Sequence, residues 1–113
     1  MCRPCRVALS ALALVVLVSC GSGESAPVEL RLAELVRFAD RYHGEVVATT
    51  GVVHTFDQPE HFWIQDDRMN RVLVEPQSAI AGLVGRRVRV VGRFEHDAET
   101  GRRIEAETVV VVE

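Results

Sequence analysis

From Gly44 to the C-terminus the chain is dominated by β-branched residues, in runs of about five to ten separated by turn residues, and that punctuation leads to a small all-β unit. Five strands can be placed. They run from Val46 to Phe56 with Gly51 inside, His61 to Gln65 closed by Asp66-Asp67, Arg71 to Glu75 ended by Pro76, Arg87 to Glu95, and Arg103 to Val112. The last is reached through a turn containing Asp97, Glu99, Thr100 and Gly101. Between the third and fourth strands, Gln77 to Val84 reads as a short helix ended by Gly85. Ahead of the strands, Val28 to Tyr42 carries Leu32, Leu35, Val36 and Ala39 at helical spacing with charges between them, which predicts an amphipathic helix stopped by His43-Gly44.

Strand, strand, strand, helix, strand, strand, with a glycine interrupting a long first strand, is the order of the OB-fold, a five-stranded Greek-key barrel. In such a barrel the first strand bends to pair in both halves of the sheet, and a residue without Cβ takes the bulge most easily, so Gly51 is expected to mark it. Tyr42 to Val53, Phe62-Trp63-Ile64-Gln65-Asp66 and Gly85 to Phe94 resemble the corresponding stretches of small exported bacterial OB-fold proteins. The resemblance covers about Leu30 to Glu113. It implies a fold and leaves the activity open, since this fold hosts many unrelated functions.

At the other end, Arg3 and Arg6 precede an apolar run from Val7 to Val18 that is interrupted by Ser10, and the run ends in Leu17-Val18-Ser19-Cys20. This is the order of a secretory signal, and it is too short for the roughly 20 apolar residues of a membrane span. The four closing residues resemble the lipobox of bacterial lipoproteins. The resemblance implies acylation of the Cys20 thiol, cleavage before it, and attachment to the cell membrane or outer membrane on the side away from the cytoplasm. An uncleaved helical anchor and an ordinary secretory signal cut elsewhere are the alternatives. Residues 1–19 would then be signal, residues 20–29 a Gly- and Ser-rich tether, and residues 30–113 the folded domain.

Removing residues 1–19 from the 113 leaves 94, enough for one small domain. It also removes two of the 13 basic residues, all arginine, so 11 face 16 acids and the net charge moves from −3 to −5. A generic polyanion binder usually has the opposite sign. The CxxC spacing of Cys2 and Cys5 falls in the signal, and with Cys20 acylated the mature chain has no thiol left for a disulfide.

OB-folds bind ligands across strands two and three and the adjoining loops, and the resemblance puts Trp63, Phe56, Arg71 and Gln65 there. Alternation places Phe62 and Ile64 on one face and Trp63 and Gln65 on the other. With Phe62 and Ile64 taken as core, Trp63 is expected exposed on the sheet as the leading ligand contact; packing beneath the N-terminal helix is the alternative. Arg87, Arg89 and Arg93 form an outer stripe that Glu105 and Glu107 of the next strand could ladder. The acids Asp57, Glu60, Asp66 and Asp67 lack a spaced cation loop, and His43, His54, His61 and His96 fall on separate elements, so no metal and no other cofactor is expected. No phosphate loop, HExxH or nucleophile elbow is present. The sequence therefore reads as a lipid-anchored binding or adaptor module without catalysis, facing an envelope protein, glycan or small ligand. A nucleic-acid-binding OB module and a metal-binding protein or hydrolase are the alternatives.

Overall fold

The computed structural model describes residues 26–58 and 60–112; Cys20, the lipobox around it, Cys2 and Cys5 lie outside them. The elements in chain order are β1 (Val28–Glu29), α1 (Leu32–Arg37), α2 (Ala39–Tyr42), β2 (Val46–Asp57), β3 (Glu60–Gln65), β4 (Arg71–Glu75), 3-10 turns at Gln77–Ala79 and Ala81–Leu83, β5 (Arg87–Asp97) and β6 (Gly101–Val111). All strands belong to one six-stranded sheet in the order β1-β2-β3-β4-β6-β5. A further pairing of β2 with β5 closes β2, β3, β4, β6 and β5 into a ring. Among the described residues, no helix is long and apolar enough to cross a membrane.

Strand β2 closes the ring because it is long enough to serve two partners. Val46 to Val52 pair antiparallel with β5, and Val52 to Asp57 pair with β3. The exchange falls at Val52, beside Gly51, yet the register runs unbroken across Gly51 and its φ is not positive. Gly51 is therefore not the predicted bulge. Its missing Cβ makes room for packing instead: a methyl there would meet Leu32 Cδ1 at 2.8 Å and Ile64 Cβ at 3.1 Å. The irregularity lies between β5 and β6, where Val91 faces Thr108 and Gly92 faces Ala106, so that Glu107 is the extra residue.

Alternation along each strand fills the ring with apolar side chains. Val47, Val53, Ile64, Val74, Val88 and Phe94 all point inward and are fully buried. Leu32, Leu35 and Ala39 add to this core from the helices, and Ile80 adds to it from between the 3-10 turns. The helical periodicity thus names the right core residues, but the predicted helix from Val28 to Tyr42 starts late and is divided. Val28 and Glu29, at the end of the expected tether, pair in parallel with Val47 and Ala48, and the Leu30 N–H donates to the Ala48 carbonyl at 3.0 Å. The helix then begins where Glu34 Oε1 accepts the Arg31 N–H at 3.1 Å, half of a capping box. It breaks at Phe38, whose φ of −113° and ψ of 37° are not helical. The predicted helix after β4 is reduced to the two 3-10 turns, with Ile80 buried between them.

One inward residue does not suit this interior. Thr49 is buried, and its Oγ1 has no hydrogen-bond partner among the described residues. A buried hydroxyl without a partner costs about 1–3 kcal/mol, so Thr49→Val is expected to raise stability by about 1 kcal/mol in chemical denaturation. A destabilised variant would mean that the hydroxyl is satisfied in solution.

Candidate functional site

Outward-facing residues of β2, β3 and β4 meet over one indole. The register sets His54 opposite Trp63 and Trp63 opposite Leu73, with Phe56 opposite His61 and Gln65 opposite Arg71. The His54 imidazole stacks on Trp63 with ring centroids 6.2 Å apart and planes 11° from parallel. His61, two residues before it on the same face, lies at 5.1 Å, and the Arg71 guanidinium sits 5.0 Å from the indole centroid. Trp63 Nε1–H donates to Gln65 Oε1 at 2.9 Å. With neighbours on every side, Trp63 is only 7% exposed, although it is not part of the ring's core cluster.

This corrects the expectation of an open tryptophan. Alternation assigned Trp63 to the outer face, but it could not show that four polar side chains would cover it there. Of the expected core pair, Ile64 is fully buried, while Phe62 is half-buried against the core and its N–H donates to Gln77 Oε1 at 3.1 Å.

A groove of about 300 Å³ opens beside this assembly, lined by His61, Trp63, Arg71, Leu73 and the β5–β6 turn at Thr100, Gly101 and Arg102. One carboxylate shapes that turn. Asp97 accepts from the Glu99 and Thr100 N–H groups and from Thr100 Oγ1 at 2.8–2.9 Å, and Arg103 bonds to Thr100 Oγ1 at 2.7 Å. Gly101 follows at φ 76°, a conformation that favours glycine. Arg102 is thereby carried across to β4, where its Nε donates to the Arg71 carbonyl at 3.4 Å.

The remaining predicted site residues are dispersed. Phe56 is 56% exposed at the β2–β3 hairpin and touches the assembly only through His61, at 5.9 Å. Gln65 orients the indole but lines a different groove, of about 380 Å³, with Thr50, His54, Asp66, Asp67 and Arg87. That groove adjoins another, of about 550 Å³, that runs to Arg31 and Arg68. In the arginine stripe, Arg89 pairs with Glu29 of β1 and Arg93 with Glu95 on its own strand at 3.9 Å. The register does place Arg93 opposite Glu105. The four acids do not converge, since Asp57 and Glu60 face each other at the hairpin while Asp66 and Asp67 lie at the far end of β3, roughly 20 Å away at strand rise. Among the described residues, no three of His, Cys, Asp and Glu form a metal-holding group. The four histidines instead meet in two pairs: His54 and His61 flank Trp63, and the His96 N–H donates to His43 Nδ1 at 3.0 Å.

Two turn carboxylates are held ionised. Burial alone would raise Asp66, but hydrogen bonds from the Asn70 side chain and backbone and the Arg68 N–H outweigh it and lower its pKa. For Asp97 the Thr100 N–H and hydroxyl lead, and its pKa falls far below the usual 3.8. Both folded values lie beneath the unfolded ones, so the stabilisation is complete above the unfolded pKa and is lost as pH falls through the folded values. Unfolding midpoints are expected to be flat above about pH 5 and to drop below about pH 4, more shallowly in Asp97→Asn. An acid profile identical in that variant would remove Asp97 from the turn's support.

Sequence reasoning missed His54 and Arg102, which reach the site only through register and turn geometry. It also missed a second aromatic–arginine cluster, in which Arg37 and Arg41 lie 5.3 and 5.1 Å from the Phe38 ring centroid. The three-residue spacing of Phe38 and Arg41 was the available signal for part of it. No protein-family model matches the chain, and comparison with curated proteins finds no similar sequence.

Proposed function

We propose that the chain is a lipid-anchored, extracytoplasmic binding module built on an OB-fold and without catalytic activity, whose ligand occupies the groove beside Trp63. Several features support the fold reading. The ring has a long first strand shared between two partners, a turn-rich connection after its third strand, and a parallel contact of its third strand with its last, β4 with β6. The groove lies where OB-folds take ligands, on the second and third ring strands and the loop between the fourth and fifth. The observation that carries the binding reading is Arg71, laid on Trp63 and edged by His61 and Arg102. This is an exposed cationic platform, suited to an anionic ligand. Attachment rests on the lipobox resemblance at Cys20.

Trp63 is the chain's one tryptophan, so its emission reports the groove directly. Titration of the mature protein with digalacturonate is expected to give a saturable change in emission, and Arg71→Gln should weaken binding at least about ten-fold by removing a charge-assisted contact. Unchanged affinity in Arg71→Gln would refute the site. Mass spectrometry of the membrane fraction should find acylated Cys20 at the N-terminus; a soluble product cut elsewhere would refute the anchor.

A further inference from the structure

The groove beside Trp63 has Arg102 at its border. The same arginine lines a second groove of about 400 Å³ together with Arg37, Phe38, Arg41 and His96. Arg71, Arg102, Arg37 and Arg41 thus line a path of two grooves that share Arg102, and among the described residues none of them is paired with a carboxylate. The carboxylate that does line the path, Asp40, lies 3.1 Å from His96 Nδ1. A chain with a formal charge of −3 has gathered four arginines without acidic partners on one face.

Where those guanidinium groups lie decides what they can recognise. Arg71 covers the indole of Trp63, and Arg37 and Arg41 lie against the ring of Phe38. Trp63 is only 7% exposed and Phe38 38%. The indole is largely taken and the exposed part of Phe38 is shared with two guanidinium groups, so a nucleobase has little to stack on in either groove, and base stacking is the main sequence-tolerant contact of single-stranded nucleic acid with such a sheet. A stacked guanidinium still presents its N–H edge to solvent, in a fork that matches a carboxylate.

We infer that the ligand is a linear acidic polysaccharide, held by carboxylates at two points: the Trp63–Arg71 groove and the Phe38 platform of Arg37 and Arg41, with Arg102 between them. This inference rests on the proposed function of the Trp63 groove and extends it by a second contact. Two tethered contacts multiply through effective concentration, so affinity rises steeply once the polymer is long enough to span both.

Calorimetric titration of the full mature protein with a galacturonate dimer and a galacturonate decamer tests this. The decamer is expected to bind at least about a hundred-fold more tightly than the dimer, more than the roughly ten-fold that its many equivalent registers supply. Arg37→Gln combined with Arg41→Gln should reduce the gain to that ten-fold or less, whereas Arg71→Gln should weaken both oligomers. A hundred-fold gain that survives in the double variant overturns the second contact, as does Arg71-dependent binding with no gain beyond registers; either result leaves the Trp63 groove standing. Failure of both oligomers to bind the unaltered protein overturns the groove reading together with the extension. Tighter binding of a thymidylate decamer than of the galacturonate decamer overturns the polysaccharide assignment.

Discussion

Gly92→Ala is expected to unfold the domain or leave it barely stable. A Cβ built on Gly92 would stand 2.1 Å from the Glu105 carbonyl oxygen, 2.7 Å from the Glu105 carbonyl carbon and 2.8 Å from Ala106 Cα. All three are backbone atoms of the partner strand at the bulge, so no side chain can turn aside and the β5–β6 ladder must open. Overpacking commonly costs about 1–3 kcal/mol where side chains can adjust, and a backbone collision lies beyond that range, at about 4 kcal/mol or more. A domain of this size holds about 5–14 kcal/mol in total. The melting midpoint should fall by at least about 15 °C, at roughly 4–8 °C per kcal/mol. Gly51→Ala provides the comparison: its nearest neighbour is the terminal methyl of Leu32, which can move, and the loss should be about 1–2 kcal/mol. Equal losses at the two glycines would show that the bulge is not where β5 and β6 come closest.

Trp63→Ala should weaken ligand binding at least about thirty-fold while leaving the domain folded. The indole is the surface on which His54, His61 and Arg71 are arranged, and its removal leaves all three unsupported. Loss of a buried anchor of this kind costs about 2–4 kcal/mol of binding, from thirty-fold to nearly a thousand-fold, read by calorimetry because the variant lacks the fluorophore. Trp63 lies outside the core cluster, so the cost in stability should be about 1–3 kcal/mol, below the 3–5 of a core tryptophan. A variant that binds normally would make the tryptophan a packing residue only.

Much of the fold could be read from the sequence because local chemistry and tertiary structure agree along the strands. Arg71 to Glu75 is a strand with the predicted ends, and the runs before and after it are displaced by at most two residues at either end. The parity of Ile64 and Trp63 was equally legible, since a period of two leaves no third choice. The misreadings arose where a distant segment intervened. Val28 and Glu29 look helical in their own neighbourhood, but β2 has an open edge there and takes them as a strand. Gly51 and Gly92 look alike as glycines within strands, and only the pairing register tells packing from bulge. The site followed the same division. Trp63 and Arg71 could be chosen from strand position, whereas Arg102 reaches them through the Asp97 turn and Phe38 lies far away in sequence.

The most direct test of the ligand face is a map of amide shifts in isotope-labelled mature protein on addition of a galacturonate oligomer. Binding in the Trp63 groove predicts that the largest shifts fall at residues 61–63, 71–73 and 100–102. Shifts concentrated instead at residues 50–54, 65–67 and 87 would place the ligand in the groove beside Asp67 and Arg87 and contradict the assignment.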